Sequence, residues 1–347
     1  MTTPCAPPLA PLPTHTNAQQ EGPYQDIVGL WSDLEAALGL LLAQPALVQQ
    51  LPSKVEQLDH WLQELIAQDH DTALYLMFQL AGSSTVGYSA SHALVCATLC
   101  HILAQELALS TIERDALVRA ALTMNIGMTV LQDQLALQRE RPSAAQMESI
   151  RMHPVEGQQL LQHMGVSDDL WLEVVGLHHI NTGAQHTLQA QAPAERLARI
   201  LTTCDRYAAM ISPRRSRAGR SVAESVQAIT GPHAALYEQT GSALVRCVGL
   251  YPPGVYVALS SGETAVVLRR TDITGQPLVA KLLDARKAPL RQPTLLLLDG
   301  QSQRISHALP SAEVSLQVDH RAMVRLGMYA AQHSQGLARL TALPGMR

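Results

Sequence analysis

The stretch that decides the fold is S-A-A-Q-M-E-S-I-R-M-H-P-V-E-G-Q-Q-L-L-Q-H-M-G-V-S-D-D-L-W-L-E-V-V-G-L-H-H, Ser143 to His179. Ser143 with Gln146 three positions on is a helix-start pattern: hydroxyl and amide each satisfy a backbone N–H that has no partner in a first turn. Gly165 reads as a stop after Gln162, His163 and Met164, and Ser167 as the cap of the next helix. Two helices therefore follow one another across a short turn, the first carrying His153 and the second ending on His178 and His179. Working outward, Ser53 with Glu56 and Ser110 with Glu113 repeat the start signal, and Val55, Leu58, Leu62, Leu65 and Ile66 share one helical face. Most of the chain from Tyr24 to about Gly241 reads as capped helices.

Beyond Tyr251, Pro252, Pro253 and Gly254 the period changes. Val255–Leu259 and Thr264–Leu268 are β-branched runs separated by Ser260, Ser261, Gly262 and Glu263, a hairpin signal. Further apolar runs at Leu278–Leu283 and Thr294–Leu298 predict a small sheet of roughly three to five strands. The segment from about Arg321 to Leu343 carries Gly327 and Gly336 and is open between helix and coil. Residues 1–22 hold prolines and almost no charge, the composition of a disordered leader.

With 47% apolar and 16% charged residues the chain can bury a large core, and 3% aromatics make that core aliphatic. A net charge of -4 weighs against a partner bound by phosphate neutralisation, so no nucleic acid is expected. No apolar run approaches the ~20 residues that span a bilayer; membrane insertion is not expected, and a cytoplasmic location is. The five cysteines form no C-x-x-C pair, which fits reduced thiols better than a disulfide framework. Cys96 and Cys100, four apart on one helix face, have a spacing able to hold a metal, but read first as small buried hydrophobes.

Fourteen histidines stand out in so uncharged a chain. Histidine is the commonest metal ligand and carries protons near neutral pH. Those that stand in helical segments include His92, His101, His153, His178 and His179, with Asp205 downstream. Taken singly each is better read as a packed or surface residue; their order is what carries meaning.

That order resembles the HD-GYP family, metal-dependent phosphodiesterases of cyclic di-GMP within the HD superfamily. The matching stretches are His92 in S-H-A-L-V, T-M-N-I-G-M at Thr123–Met128, H-P-V-E-G at His153–Gly157, H-H-I-N-T-G at His178–Gly183, and D-R-Y-A-A-M-I-S-P-R-R-S-R at Asp205–Arg217. The resemblance covers about Tyr88 to Leu250 and implies a mainly α architecture. The implied arrangement is an HD-domain helical bundle at residues 86–250, with a helical N-terminal region at 23–85, a small β extension at 251–310 and a tail at 311–347. It implies metal ligands at His92, His153, His178, His179 and Asp205, with the H-P-x-x-G run beginning a helix, the His pair ending another and both lining one pocket. It also implies phosphate contacts from Arg214 and Arg217, whose guanidinium forks suit phosphate; a solvated basic loop from Arg214 to Arg220 is the alternative. The helix starting near Pro193 is expected to end near Ser212 and Pro213.

The departures are equally specific. Met124 and Asn125 replace the family's adjacent His and Asp, whose carboxylate bridges two ions; a neutral amide bridges poorly and a thioether is too soft for Mn, Fe or Mg. Met128 replaces the Lys that contacts the scissile phosphate, Ile180 replaces the Glu after the His pair, and no Gly-Tyr-Pro follows. A metal-bridging hydroxide for in-line attack loses its main support. The expectation is therefore a degenerate, non-catalytic module that responds to a cyclic dinucleotide or to a signalling protein, with no metal as the first reading. The alternatives are one divalent ion (Zn, Fe or Mn) on His153, His178 and His179 in a phosphodiesterase with a rearranged site, and a structural protein acting through a homodimer.

Overall fold

The computed structural model describes residues 26–83, 86–180, 187–212, 225, 238–270, 277–314 and 316–341. The expected leader at 1–22, and Arg214 and Arg217, lie outside the described residues. The order is α1 (Ile27–Ala43), α2 (Leu51–Gln68), α3 (His70–Ser83), α4 (Tyr88–Glu106), α5 (Thr111–Thr123), α6 (Thr129–Leu137), α7 (Ala144–His163), α8 (Asp169–Leu177), α9 (Pro193–Ile211) and α10 (Glu238–Val248). A five-stranded sheet follows, β1 (Tyr256–Leu259), β2 (Thr264–Arg269), β3 (Leu278–Leu283), β4 (Pro289–Leu297) and β5 (Ile305–Leu309), and then α11 (His320–Thr341). The fold is mainly α with a small antiparallel C-terminal sheet.

The bundle is organised around α4, whose residues from Ser89 to Ala104 are all buried. A helix covered on every side sits in the middle of a domain, and α4 is packed by α1, α3, α5, α6, α9 and α10. Its small residues Ser89, Ala90, Ala93, Ala97 and Ala104 let those neighbours approach. Apolar residues from Ile27 in α1 to Leu326 in α11 join in one aliphatic core.

The capping boxes at Ser110 and Ser143 are formed as the sequence predicts. Ser53 is not a cap: α2 begins at Leu51, with Pro52 pre-setting the first turn, so Ser53 lies inside it. Gly165 stops α7 with φ +92°, and the Val166 amide bonds back to Leu161 O at 3.0 Å, a left-handed closure that suits glycine. The next helix is capped by Asp168, not Ser167; its carboxylate accepts from the Trp171 amide at 3.1 Å. α9 ends at Ile211, as expected ahead of Pro213.

The hairpin is antiparallel, with Val257 opposite Ala265, and the sheet order is β4-β3-β2-β1-β5. β4 begins at Pro289, five residues before its predicted start, and β5 went unpredicted because Ile305–Leu309 is half polar. The segment open between helix and coil is α11, which accommodates both of its glycines. The sheet joins the bundle through β2, which packs on α3 and α11. Arg269 bonds Asp69 at 2.7 Å, Arg270 bonds Asp71 at 2.7 Å, and Tyr75 bonds His320 at 2.9 Å.

One close approach positions the candidate site. The turn at Ile126–Met128 lies against α7 at Gly127, where an added Cβ would stand 2.9 Å from the Gly157 amide nitrogen and 3.0 Å from His153 O. Both obstacles are backbone and cannot rotate away. Gly127→Ala is expected to lower stability by about 1–3 kcal/mol, as overpacking does, read from the urea unfolding midpoint; an unchanged midpoint would show that the turn yields.

Candidate metal centre

His153 lies in the middle of α7, not at the helix start expected for H-P-x-x-G, and the proline after it sets its chemistry. In an unbroken helix Ile150 O would accept from the amide at position 154, but Pro154 has no N–H. The freed oxygen accepts instead from Nδ1 of His153 at 2.6 Å. At the C-terminal end of α8 the last carbonyls have no helical partner. There Val175 O accepts from Nδ1 of His178, also at 2.6 Å. The Thr202 hydroxyl of α9 bonds His178 O and ties the end of α8 down.

A carbonyl only accepts, so Nδ1 holds the proton in both rings and Nε2 presents a lone pair. The two Nε2 atoms face one another at 3.1 Å. Burial, only partly offset by the backbone hydrogen bonds, pushes His153 down to about 4 and His178 to about 3, so near neutral pH no extra proton sits between them. Two buried lone pairs at that separation repel unless a cation lies between them. Two imidazoles on one tetrahedral zinc, at the usual bond length, hold their nitrogens about 3.3 Å apart. An Nδ1–H bond to a carbonyl is also the usual outer contact of a ligating histidine. His179 completes the group: its ring centroid is 4.2 Å from that of His178 and 5.1 Å from that of His153, and the three donor atoms lie within 4.8 Å of one another. The donor set fits one divalent cation, which favours the single-ion alternative over the metal-free expectation.

Asp205 and His92 form a neighbouring group rather than part of the trio. Asp205, on α9, accepts from Nε2 of His92 on α4 at 2.8 Å. Burial works against the charged carboxylate, but the His92 hydrogen bond and the surrounding histidines outweigh it and hold the group well below the usual carboxylate range. Asp205 is thus an anion beside the trio. Cys96, one turn along α4, has Sγ 3.7 Å from His92 Nε2. Sequence reading placed Cys96 beside Cys100 rather than His92, although the His-x-x-x-Cys spacing carries that signal; Cys100 instead bonds Cys204. Cys96 and Cys100 are both buried, in line with the first reading.

The turn packed against His153 brings neither carboxylate nor imidazole. Met124 is fully buried, the Asn125 carbonyl accepts from the Met128 amide at 2.9 Å, and Ile180, after the His pair, is exposed. Trp171 fixes this region by donating Nε1–H to Thr123 at 2.9 Å.

No family model matches the chain. Over 248 residues, 68% of this chain, it is 31% identical to the cyclic di-GMP phosphodiesterase PA4108 of Pseudomonas aeruginosa. The chain belongs to the HD-GYP family. It spans 58% of the length of that relative. It is also similar to the solved structure of Bd1817, a HDG"Y"P protein from Bdellovibrio bacteriovorus, at 16% identity and a TM-score of 0.48 over 65% of this chain and 73% of the other. HD-GYP proteins bind divalent metals, and the His153–His178–His179 group has a donor set suited to one. Among the described residues no helix is long and apolar enough to cross a membrane.

Pro154→Ala restores an amide that competes with His153 Nδ1 for Ile150 O. The helix should gain stability, while zinc affinity at the trio falls by about 10- to 100-fold, the usual effect of losing an outer contact. Calorimetric titration with zinc measures this; unchanged affinity would mean that the carbonyl does not set the ring.

Proposed function

We propose that this protein is a degenerate HD-GYP module that holds one divalent ion on His153, His178 and His179, binds a cyclic dinucleotide through it, and does not hydrolyse that ligand at a rate useful in a cell. The supporting observation is the contrast within the site. Three imidazoles converge on one point, while the turn beside them offers Met124 and Asn125 where a bridging carboxylate belongs. Three neutral ligands leave an ion its full charge, which suits a phosphodiester anion. The ion supplies Lewis acidity when bound; the chain's own residues orient it through Ile150 O and Val175 O and place the Asp205 anion alongside.

On this reading residues 86–250 carry the module, with residues 23–85 and 251–310 packed around it, and Arg214 and Arg217 hold the ligand's phosphates. Output then passes to a signalling protein or to a second copy of the chain. Among the described residues four buried free cysteines suit a reducing cytoplasm. The second reading, a phosphodiesterase with a rearranged site, is favoured by the ionised Asp205 beside the trio.

Titration of the zinc-loaded protein with cyclic di-GMP tests the first reading: saturable binding with no linear dinucleotide released is expected. Turnover with Mn or Fe that His178→Ala abolishes would overturn it in favour of the second, and no binding would favour the structural alternative. The Arg214→Ala, Arg217→Ala variant should bind roughly a hundredfold more weakly, since each charge-assisted contact contributes about 1.5 to 3 kcal/mol; equal affinity would move the phosphate site elsewhere. Restoring the family pair with Met124→His and Asn125→Asp should raise hydrolysis on the order of a hundredfold, the scale of one electrostatic contact to a transition state. A product assay showing no gain would mean that the lost bridge is not what limits turnover.

A further inference from the structure

The face made by α1 and α2 supplies no residue of the candidate metal centre. From Ala36 to Ser53 the sequence holds no charged residue, yet that stretch leaves Ala36, Leu40, Ala43, Gln44, Leu47 and Gln49 exposed. Leu40 is 77% and Leu47 75% exposed, the two most exposed large apolar side chains among the described residues. Beside them a cavity of about 480 Å³ opens between the two helices, floored by Ala37, Leu41, Val48, Leu58 and Trp61. Projecting leucines next to an apolar hollow are a knob and a hole on one patch. A patch that holds both is complementary to itself, which is what a two-fold interface requires, and depletion of charge marks the core of an interface.

The charges at the two ends fit the same arrangement. Asp33 is exposed on α1 two turns before Leu40, about 10 Å along the helix. Lys54 lines the opposite end of the hollow with Val48 and Gln49, and its ammonium bonds the Gln57 amide oxygen at 3.2 Å. Among the described residues neither Asp33 nor Lys54 belongs to an ion pair. When α1 lies antiparallel to its copy about a two-fold axis at Leu40, Asp33 of one helix faces the end of the hollow that the partner's Lys54 lines.

We propose that the α1–α2 face binds a second copy of this chain, α1 crossing α1 antiparallel, with Leu40 of each copy filling the hollow of the other and Asp33 of each paired with the partner's Lys54. Ala36 and Ala43, one turn to either side of Leu40 on the exposed face, are small enough to let two helices approach until the leucine enters. A lipid surface is the poorer occupant, since helices that lie on membranes carry several basic residues beside the apolar face and here the one lysine is balanced by Asp33. The interface goes beyond the metal-site reading and is independent of it, because dimerisation on this face needs neither ion nor nucleotide.

Sedimentation equilibrium of the full chain tests it. The parent should form a dimer in the micromolar range, and the Leu40→Asp, Leu47→Asp variant should stay monomeric with an unchanged helical circular dichroism, since both side chains are exposed in the single chain. Asp33→Lys and Lys54→Asp should each weaken the dimer roughly tenfold, or about 1.4 kcal/mol, because each sets like charges against one another twice. The double exchange Asp33→Lys with Lys54→Asp should restore the parent's affinity, a rescue that a loss of folding would not give. A parent that is monomeric throughout overturns the proposal, and if it then floats with phosphatidylcholine vesicles through Leu40 the face belongs to a lipid surface instead. A dimer untouched by Leu40→Asp, Leu47→Asp also overturns it, as does a double exchange no tighter than either single variant.

Discussion

Two hydrogen bonds from ring nitrogen to backbone carbonyl set the chemistry of this molecule: His153 Nδ1 to Ile150 O and His178 Nδ1 to Val175 O, each 2.6 Å. Each exists because a helix has a carbonyl to spare. In α7 the spare is made by Pro154, which removes a donor in mid-helix; in α8 it is the ordinary shortage of partners at a C-terminal end. Once the Nδ1 protons are committed, both Nε2 lone pairs point into the same buried space. The bundle around them holds the two neutral rings with their lone pairs 3.1 Å apart, a repulsion that a cation between them relieves.

The rest of the fold serves that juxtaposition. α7 and α8 are connected by the left-handed turn at Gly165 and the Asp168 cap, which fix how far His153 and His178 stand from each other. Thr202 ties the end of α8 to α9, and the Gly127–Gly157 approach presses the Met124–Met128 turn against the helix that carries His153. α4, covered on every side, supplies His92 and receives Asp205. The Arg269–Asp69 and Arg270–Asp71 pairs fasten the sheet to the start of α3.

Much of this is legible in the residues. Helices with local start signals at Ser110 and Ser143 are where the sequence puts them, as are the stop at Gly165 and the β1–β2 hairpin, because each depends on a few neighbouring side chains. The errors fall where two local signals compete: Ser53 against Pro52 for the start of α2, Ser167 against Asp168 for the cap of α8. β5 is legible only through its partner β1, since its own residues lack a strand's pattern. Convergence of His153, His178 and His179 was readable from motif order. The tautomers were not, because they depend on which carbonyls the folded helices leave free. Nor was the Cys96–His92 contact, which requires knowing that their shared face of α4 looks toward Asp205.

The central claim is that His153 and His178 are both Nδ1–H tautomers whose Nε2 atoms share one ion. Nitrogen NMR of the imidazole rings, with zinc added stepwise to the full chain at neutral pH, tests it directly. The account requires both rings to begin as Nδ1–H tautomers and both Nε2 resonances to move together as the trio takes up one equivalent of zinc. A proton found on either Nε2 before zinc, or an Nε2 resonance that zinc leaves in place, would contradict it.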